Sequence, residues 1–301
     1  MVERVTLRRV KDMKELVLDM VSTPDYILKS VDWETVKGTH HSYRYVNQIG
    51  ETITNTSLEP RPITIEGWIV AQTEKQMTAL KVNLNLFVNP QEEIELFYSN
   101  YTIKFVPDES VKYSISSAEN NEVICKFQIS GTAPNPLFFD NVENDSTFVT
   151  TTPVFHFPLV ISESLPDKGV IFGKRIASLI STLTNKGSIA TGMIIVFKAN
   201  GTVVNPSLIN INTQEEFTIN KTLVAGEEIE INTNIGEKKV RGKIGDSASY
   251  TNYFMYKNVK STWLQLDVGE NIFRYNAVEG IDNLDVFVYF YNRYLEVQEC
   301  Y

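Results

Sequence analysis

Cysteine and histidine are nearly missing from this chain: two Cys, at 125 and 300, and three His among 301 residues. One cysteine in each half makes neither a disulfide framework nor a zinc pattern, and fits reduced thiols in a protein made in the cytoplasm. His40 and His41 are adjacent, so on a strand they point to opposite faces and cannot ligate one metal together. His156, in "VFHFP", is read as an isolated structural histidine. No apolar run of about 18 residues occurs, so no membrane helix is expected. The N-terminal "MVERVTLRRVKDMKELVLDM" is charged throughout and lacks the apolar core of a signal peptide.

Catalytic signatures are missing as well. The chain has no GxSxG, HExxH or P-loop. The acidic pairs Glu92-Glu93 and Glu227-Glu228 read as solvated acids in loops, whereas glycosidase carboxylates face each other from separate elements across about 5–10 Å. The expectation is a protein that is not an enzyme and holds no cofactor and no metal.

Basic charge is scarce too. The net charge is −9, with 14 Lys/Arg against 21 Asp/Glu in residues 1–150 and 14 against 16 in the remainder. Such a balance argues against holding nucleic acid, whose phosphates need clustered cations.

What the chain has is aromatic and β-branched residues: 14 Tyr and 16 Phe among Ile, Val and Thr, a composition that favours strands. Residues 42–71 behave as a hairpin arm. In "RPITIEGWIV" Ile63 and Ile65 alternate, and Gly67 before Trp68 suggests a bulge that shifts the alternation. One helix is expected at about 73–88, where Thr73 and Gln76 have capping-box spacing and Met77, Leu80, Leu84 and Phe87 share a face. Asn89-Pro90 ends it. Four short alternating segments follow, and "APNPLFFDNVENDSTFVTTTP" breaks the pattern.

Beyond that break no helix is expected. Short strands with Gly and Asn punctuation predict an antiparallel jelly-roll sandwich, with Asn200-Gly201 as a type I′ hairpin turn. The fold class is therefore mainly β: residues 1–150 an antiparallel barrel or sheet with one helix, residues 151–301 a β-sandwich. "WLQLDVGENIFRYNA" (263–277) could be the rim of a sugar site or two core strands meeting at a loop, because aromatic side chains serve both. The second domain's many tyrosines, from Tyr250 to Tyr294, keep carbohydrate binding open.

Residues 48–98, "QIGETITNTSLEPRPITIEGWIVAQTEKQMTALKVNLNLFVNPQEEIELFY", resemble the first domain of the phage distal tail proteins: a Gly turn, an alternating strand after Arg61, a helix, Asn-Pro and a hairpin. "SGTAPNPLFF" resembles the exit from that domain. "WLQLDVGENIFRYNA" and "DVFVYFYNRYLEV" resemble the last strands of a galectin-like second domain.

The resemblance implies a structural virion component at the tail tip or baseplate, synthesised in the bacterial host cytoplasm. It implies a homo-oligomer, a hexameric ring closed by the first domain at the end of the tail tube. Its partners would be the tail tube protein, a tail-associated hub protein, and receptor-binding or baseplate proteins docked on the second domain. Cell-wall carbohydrate is a further implied contact, and DNA only passes through the lumen. On that reading Glu92, Glu93 and Glu95 line the channel and keep it from holding DNA, and 263–277 becomes architecture. Gly269 then supplies a permissive backbone position and Asn271 a side-chain hydrogen bond. The alternative function is a carbohydrate-binding module for host-surface adhesion.

Overall fold

The structure is a computed structural model that describes residues 3–21, 25–116, 118–153, 173–177 and 179–297. His156 and Cys300 lie outside the described residues. The chain forms two units, residues 1–142 with 293–301, and residues 143–292. The expected boundary at 150/151 thus moves to 142/143, and the last residues, read as part of the sandwich, return to the first unit.

The first unit contains β1 (Arg4–Arg9), β2 (Glu15–Asp19), β3 (Tyr26–Trp33), β4 (Gly38–Tyr43), β5 (Thr52–Leu58), β6 (Arg61–Val70), α1 (Glu74–Phe87), β7 (Ile94–Tyr98), β8 (Tyr101–Pro107), β9 (Lys112–Tyr113), β10 (Ile124–Ala133) and β11 (Phe138–Asp140). Strands run in the order β8-β7-β1-β2-β3-β6-β10, and β10 pairs back onto β8 through Gly131↔Pro107 and Thr132↔Val106. The sheet therefore closes into a barrel between β10 and β8. Every pairing around it is antiparallel except β2–β3, a single parallel contact between Asp19 and Ile27.

The barrel core follows from strict alternation. Along β6, Arg61, Ile63, Ile65, Gly67 and Ile69 point inward without interruption, so the bulge expected at Gly67 is not there. The irregularity lies on the neighbouring strand, between Leu28 and Ser30. Gly67 serves close approach instead: a Cβ there would stand 2.5 Å from the Phe127 ring. Trp68 consequently faces away from the barrel core.

Helix α1 forms where the sequence places it. Thr73 caps it by accepting from the Gln76 N–H, and Gln76 Oε1 accepts from the N–H of Gln72 rather than of Thr73 itself. Met77, Leu80, Leu84 and Phe87 are its buried face. Burial of one such side chain contributes roughly 1.5–3 kcal/mol, so this stripe outweighs the helix's modest intrinsic propensity. The hydroxyls of Tyr26 and Tyr113 donate to the carbonyls of Leu80 and Lys81, fixing the helix against the barrel.

The second unit contains β12 (Asn144–Thr147), β13 (Val149–Pro153), β14 (Gly173–Ala177), β15 (Ile180–Asn185), β16 (Ile194–Ala199), β17 (Val203–Val204), β18 (Ser207–Asn210), β19 (Glu216–Thr218), β20 (Thr222–Leu223), β21 (Glu227–Asn232), β22 (Lys239–Ile244), β23 (Thr251–Asn252), β24 (Gly269–Asn276) and β25 (Leu284–Phe290). A six-stranded sheet, β12-β25-β16-β21-β22-β23, and a four-stranded sheet, β15-β24-β18-β19, enclose one core. Ile195, Phe197, Ile229 and Val288 come from the first sheet, and Leu183, Leu208, Phe217 and Phe273 from the second. The strand after Asn200-Gly201 does not fold back on β16: β16 pairs with β21 and β25, and β17 with β20. Asn200 donates instead to the Asp285 carboxylate at 2.6 Å, so this dipeptide is a crossing between strand pairs and not a hairpin turn.

After Asn292 the chain rejoins the first unit as β26 (Arg293–Tyr294), beside β11. Arg61, fully buried, stacks its guanidinium 4.8 Å from the Phe138 ring and donates to the Leu295 carbonyl. Burial lowers its pKa.

Candidate assembly surfaces

No group of three metal-ligating side chains converges among the described residues. His40 and His41 sit on the exposed strand β4, where His40 Nδ1 lies 2.8 Å from Thr56 Oγ1. Cys125 is buried in the barrel core.

The three candidate channel residues lie at the start of β7 but differ in state. Glu92 precedes β7 and meets Lys11 Nζ at 2.7 Å and Arg9 Nε at 3.3 Å. Glu95, on β7, lies between Arg8 of β1 (2.5 Å) and Lys104 of β8 (3.1 Å). Burial raises its pKa, but the hydrogen bonds from Arg8 and Lys104 outweigh this and hold the carboxyl below its ordinary value. Glu93 is the exposed member of the three. Nearby, the hydrogen bond from Arg9 holds the Asp12 carboxyl well below the usual carboxylate range. Glu92 and Glu95 thus carry paired charge, and Glu93 presents its carboxylate to solvent.

The acidic pair in the second unit departs from expectation. Glu227 is not a loop residue but opens β21, fully buried, with Lys221 Nζ at 2.8 Å. Lys221 in turn lies 5.4 Å from the Tyr253 ring and 5.6 Å from the Tyr256 ring. Glu228, on the opposite face of the strand, accepts from the Tyr250 hydroxyl at 3.1 Å and pairs with Lys243 at 3.4 Å.

That outer face of the six-stranded sheet holds a shallow groove of about 440 Å³, lined by Ile194, Val196, Phe287 and Tyr289 beside Glu228, Glu230 and Tyr250. Arg241 forks onto Glu230 at 2.9 and 2.8 Å and stacks 4.2 Å from the Tyr250 ring. The carboxylates are therefore engaged with cations of their own sheet, which leaves them less free to receive sugar hydroxyls.

The 263–277 stretch is half as expected. Gly269 has φ +95°, and the Asn271 side chain donates to Asp267 O at 2.7 Å and accepts from Asp267 N at 3.0 Å. Phe273 is core. Trp263, however, is on no strand: it is half-buried at the rim, against Phe217 (5.2 Å) and Phe254 (6.1 Å). Of the tyrosines, Tyr275 is core, packed edge-on to Phe148, and Tyr294 belongs to the first unit, packed edge-on to Tyr101.

Residues 28–130 match the phage tail protein RIFT-related domain, and residues 186–294 match the siphovirus-type tail component, C-terminal domain. No protein of curated function matches the sequence. Among solved structures the chain is similar to the Dit protein of phage SPP1, whose structure is described as a paradigm of hub adsorption apparatus in Gram-positive infecting phages. The TM-score is 0.65 at 12% identity, covering 96% of this chain and 98% of that one. It is also similar to a chain of the phage P2 baseplate in its activated conformation with Ca, with TM-score 0.51 at 10% identity, covering 97% and 98%. The chain belongs to the phage distal tail proteins, components of the siphovirus-type tail.

Proposed function

We propose that the protein assembles as a six-membered ring at the end of the tail tube. In this reading the first unit forms the ring and the second unit docks receptor-binding or baseplate proteins. Its neighbours are the tail tube protein and a tail-associated hub protein, its place is the tail tip, and it has no catalytic role. The observation that carries the reading is that residues 28–130 match a phage tail protein domain and residues 186–294 the C-terminal domain of a siphovirus-type tail component. A head-to-tail contact repeated around a rotation that divides the circle closes such a ring without leaving a free surface.

Glu93 supports the channel proposal best of the three acids, because its carboxylate is exposed while Glu92 and Glu95 are paired. DNA meets the protein only in transit. In the carbohydrate-binding alternative, host cell-wall sugar occupies the groove over Phe287 and Tyr289, against the disadvantage that Glu228 and Glu230 already have cationic partners. A glycan array decides that alternative. The ring is tested by the solution mass and negative-stain averages of the purified protein. Six copies of 34.2 kDa give about 205 kDa and a six-fold view with a central opening. Averages with another rotational order would refute the six-membered ring.

A further inference from the structure

We propose that the edge of the second unit beside Trp263 is a binding site for a phosphorylated sugar. The site needs neither the ring nor the groove over Phe287 and Tyr289, so its failure would leave the tail-tip reading in place.

Positive charge gathers at this edge. Residues 238–260 hold five Lys and one Arg against one Asp, in a chain whose net charge is −9. Strands β22 and β23 and the 3-10 turn Phe254–Tyr256 lie within this stretch. A groove of about 340 Å³ opens there, lined by Lys238, Lys239, Arg241, Tyr250, Asn252 and Phe254. Among the described residues that line it there is no carboxylate.

An aromatic face stands beside the cations. Phe254 is 51% exposed, and the Asn252 side-chain oxygen fixes its backbone by accepting from the Phe254 N–H at 2.9 Å. The Phe254 ring lies 6.1 Å from that of Trp263 at an interplanar angle of 31°. Lys238 Nζ is 5.6 Å from the same Trp263 ring. Trp263 thus brings an exposed ring and an ammonium group together at the rim. A ring of this kind packs against the apolar face of a sugar, and the ammonium group beside it holds an anion carried by that sugar.

The cations select which anion. Arg241 commits Nε and Nη2 to Glu230, so its fork is closed to the bidentate grip that suits a carboxylate. Lys257, 5.7 Å from the Trp263 ring, donates to the carbonyls of Asn258 and Ser261 at 3.1 and 2.8 Å and acts as a strut for the loop. Lys238 is exposed over Trp263, and Lys239 meets Glu230 only at 3.9 Å. Two ammonium groups on adjacent residues are left for a ligand. Such point charges suit a phosphate, and a neutral sugar would leave both unused.

The test titrates the full-length protein with the 1-phosphates of glucose, galactose and N-acetylglucosamine, with the three free sugars and with inorganic phosphate. Calorimetry and tryptophan fluorescence give the affinities. At least one sugar phosphate is expected to bind about ten-fold more tightly than inorganic phosphate and than its own free sugar, and to weaken as salt is raised. Lys238→Gln/Lys239→Gln should lose about ten-fold in affinity with an unchanged thermal melt. Phe254→Ala should bind the sugar phosphate no better than inorganic phosphate, and Lys75→Gln, on α1, should bind as the wild type does.

Free sugar phosphates and phosphate-bearing surface glycans share the recognised group. The methyl phosphodiester of the preferred sugar, which copies a link in a polymer, separates them. Affinity within about three-fold of the monoester assigns the site to a glycan, and a larger loss assigns it to a free sugar phosphate. The proposal is overturned if no sugar phosphate binds at about 10 mM, or if inorganic phosphate binds as tightly as every one of them. Tighter binding of hexaglutamate than of any sugar phosphate would overturn it in favour of an acidic polypeptide. A loss in Lys75→Gln equal to that in the double variant would overturn it as unspecific attraction.

Discussion

Phe138 and Tyr294 are antiparallel partners on neighbouring strands, although the whole second unit lies between them in the chain. The chain leaves the first unit along β11 and comes back beside it along β26. Arg61 stacks on Phe138 and holds the Leu295 carbonyl, so one buried side chain secures both the exit and the return.

Removing the ring of Tyr294 should therefore be felt in the barrel. It is 8% exposed and packs edge-on to Tyr101 at 5.1 Å. Tyr294→Ala is expected to destabilise the first unit by about 3–5 kcal/mol, the range for large aromatic truncations. Calorimetry should show the barrel transition falling in temperature while the sandwich transition stays in place.

Gly67 faces Phe127 with no room for a methyl group. Gly67→Ala should cost about 1–3 kcal/mol by overpacking. Adding Phe127→Leu should return part of that loss, because two of the three nearest atoms belong to the ring, while the third, the Ile27 carbonyl oxygen at 2.7 Å, stays in place. Denaturant melts of the two single variants and the double variant measure this coupling.

The fully buried Glu227 pairs with Lys221, whose side chain stays partly exposed. Lys221→Met leaves a carboxylate buried without its cation and should cost about 3–5 kcal/mol. Lys221→Met/Glu227→Gln removes both charges and should be more stable than the single variant. A double variant less stable than Lys221→Met would contradict the account.

The folded-state pKa of Glu95 is held below its ordinary 4.5. A depressed carboxylate contributes stability that is complete above the unfolded value and is lost as pH falls through the folded value. Glu66, lowered by its hydrogen bond from Lys29 and by Lys126, adds to the same window. Glu95→Gln should thus be less stable than wild type at pH 7, and the gap should close as pH falls below 4.5. Urea melts across that range provide the check.

The parts of this fold that were legible in the sequence are those where local chemistry and tertiary packing agree. The capping-box spacing of Thr73 and Gln76 and the apolar stripe from Met77 to Phe87 gave α1 nearly to the residue. Gly269 and Asn271 were readable because a positive φ and a side-chain turn bond are local demands. The role of Gly67 is not legible locally because its reason, the Phe127 ring, is a neighbour in space and not in sequence. Asn200-Gly201 failed for a related cause: its dipeptide permits a tight turn, but β16 already has partners on both sides. Glu227 looked solvated until the fold brought Lys221 to it, and Trp263 looked like core until its segment proved to be rim. Of the site, the acidic residues 92, 93 and 95 were visible in the sequence, but their pairing with Arg8, Arg9, Lys11 and Lys104 depends on which strands lie together.

The most direct measurement of the central claim is immunogold labelling of assembled particles with antibody raised against the purified protein. The account predicts gold confined to the tail end farthest from the capsid, on every labelled particle. Gold at the capsid or neck, or along the length of the tail, or particles that lack the protein altogether, would contradict it.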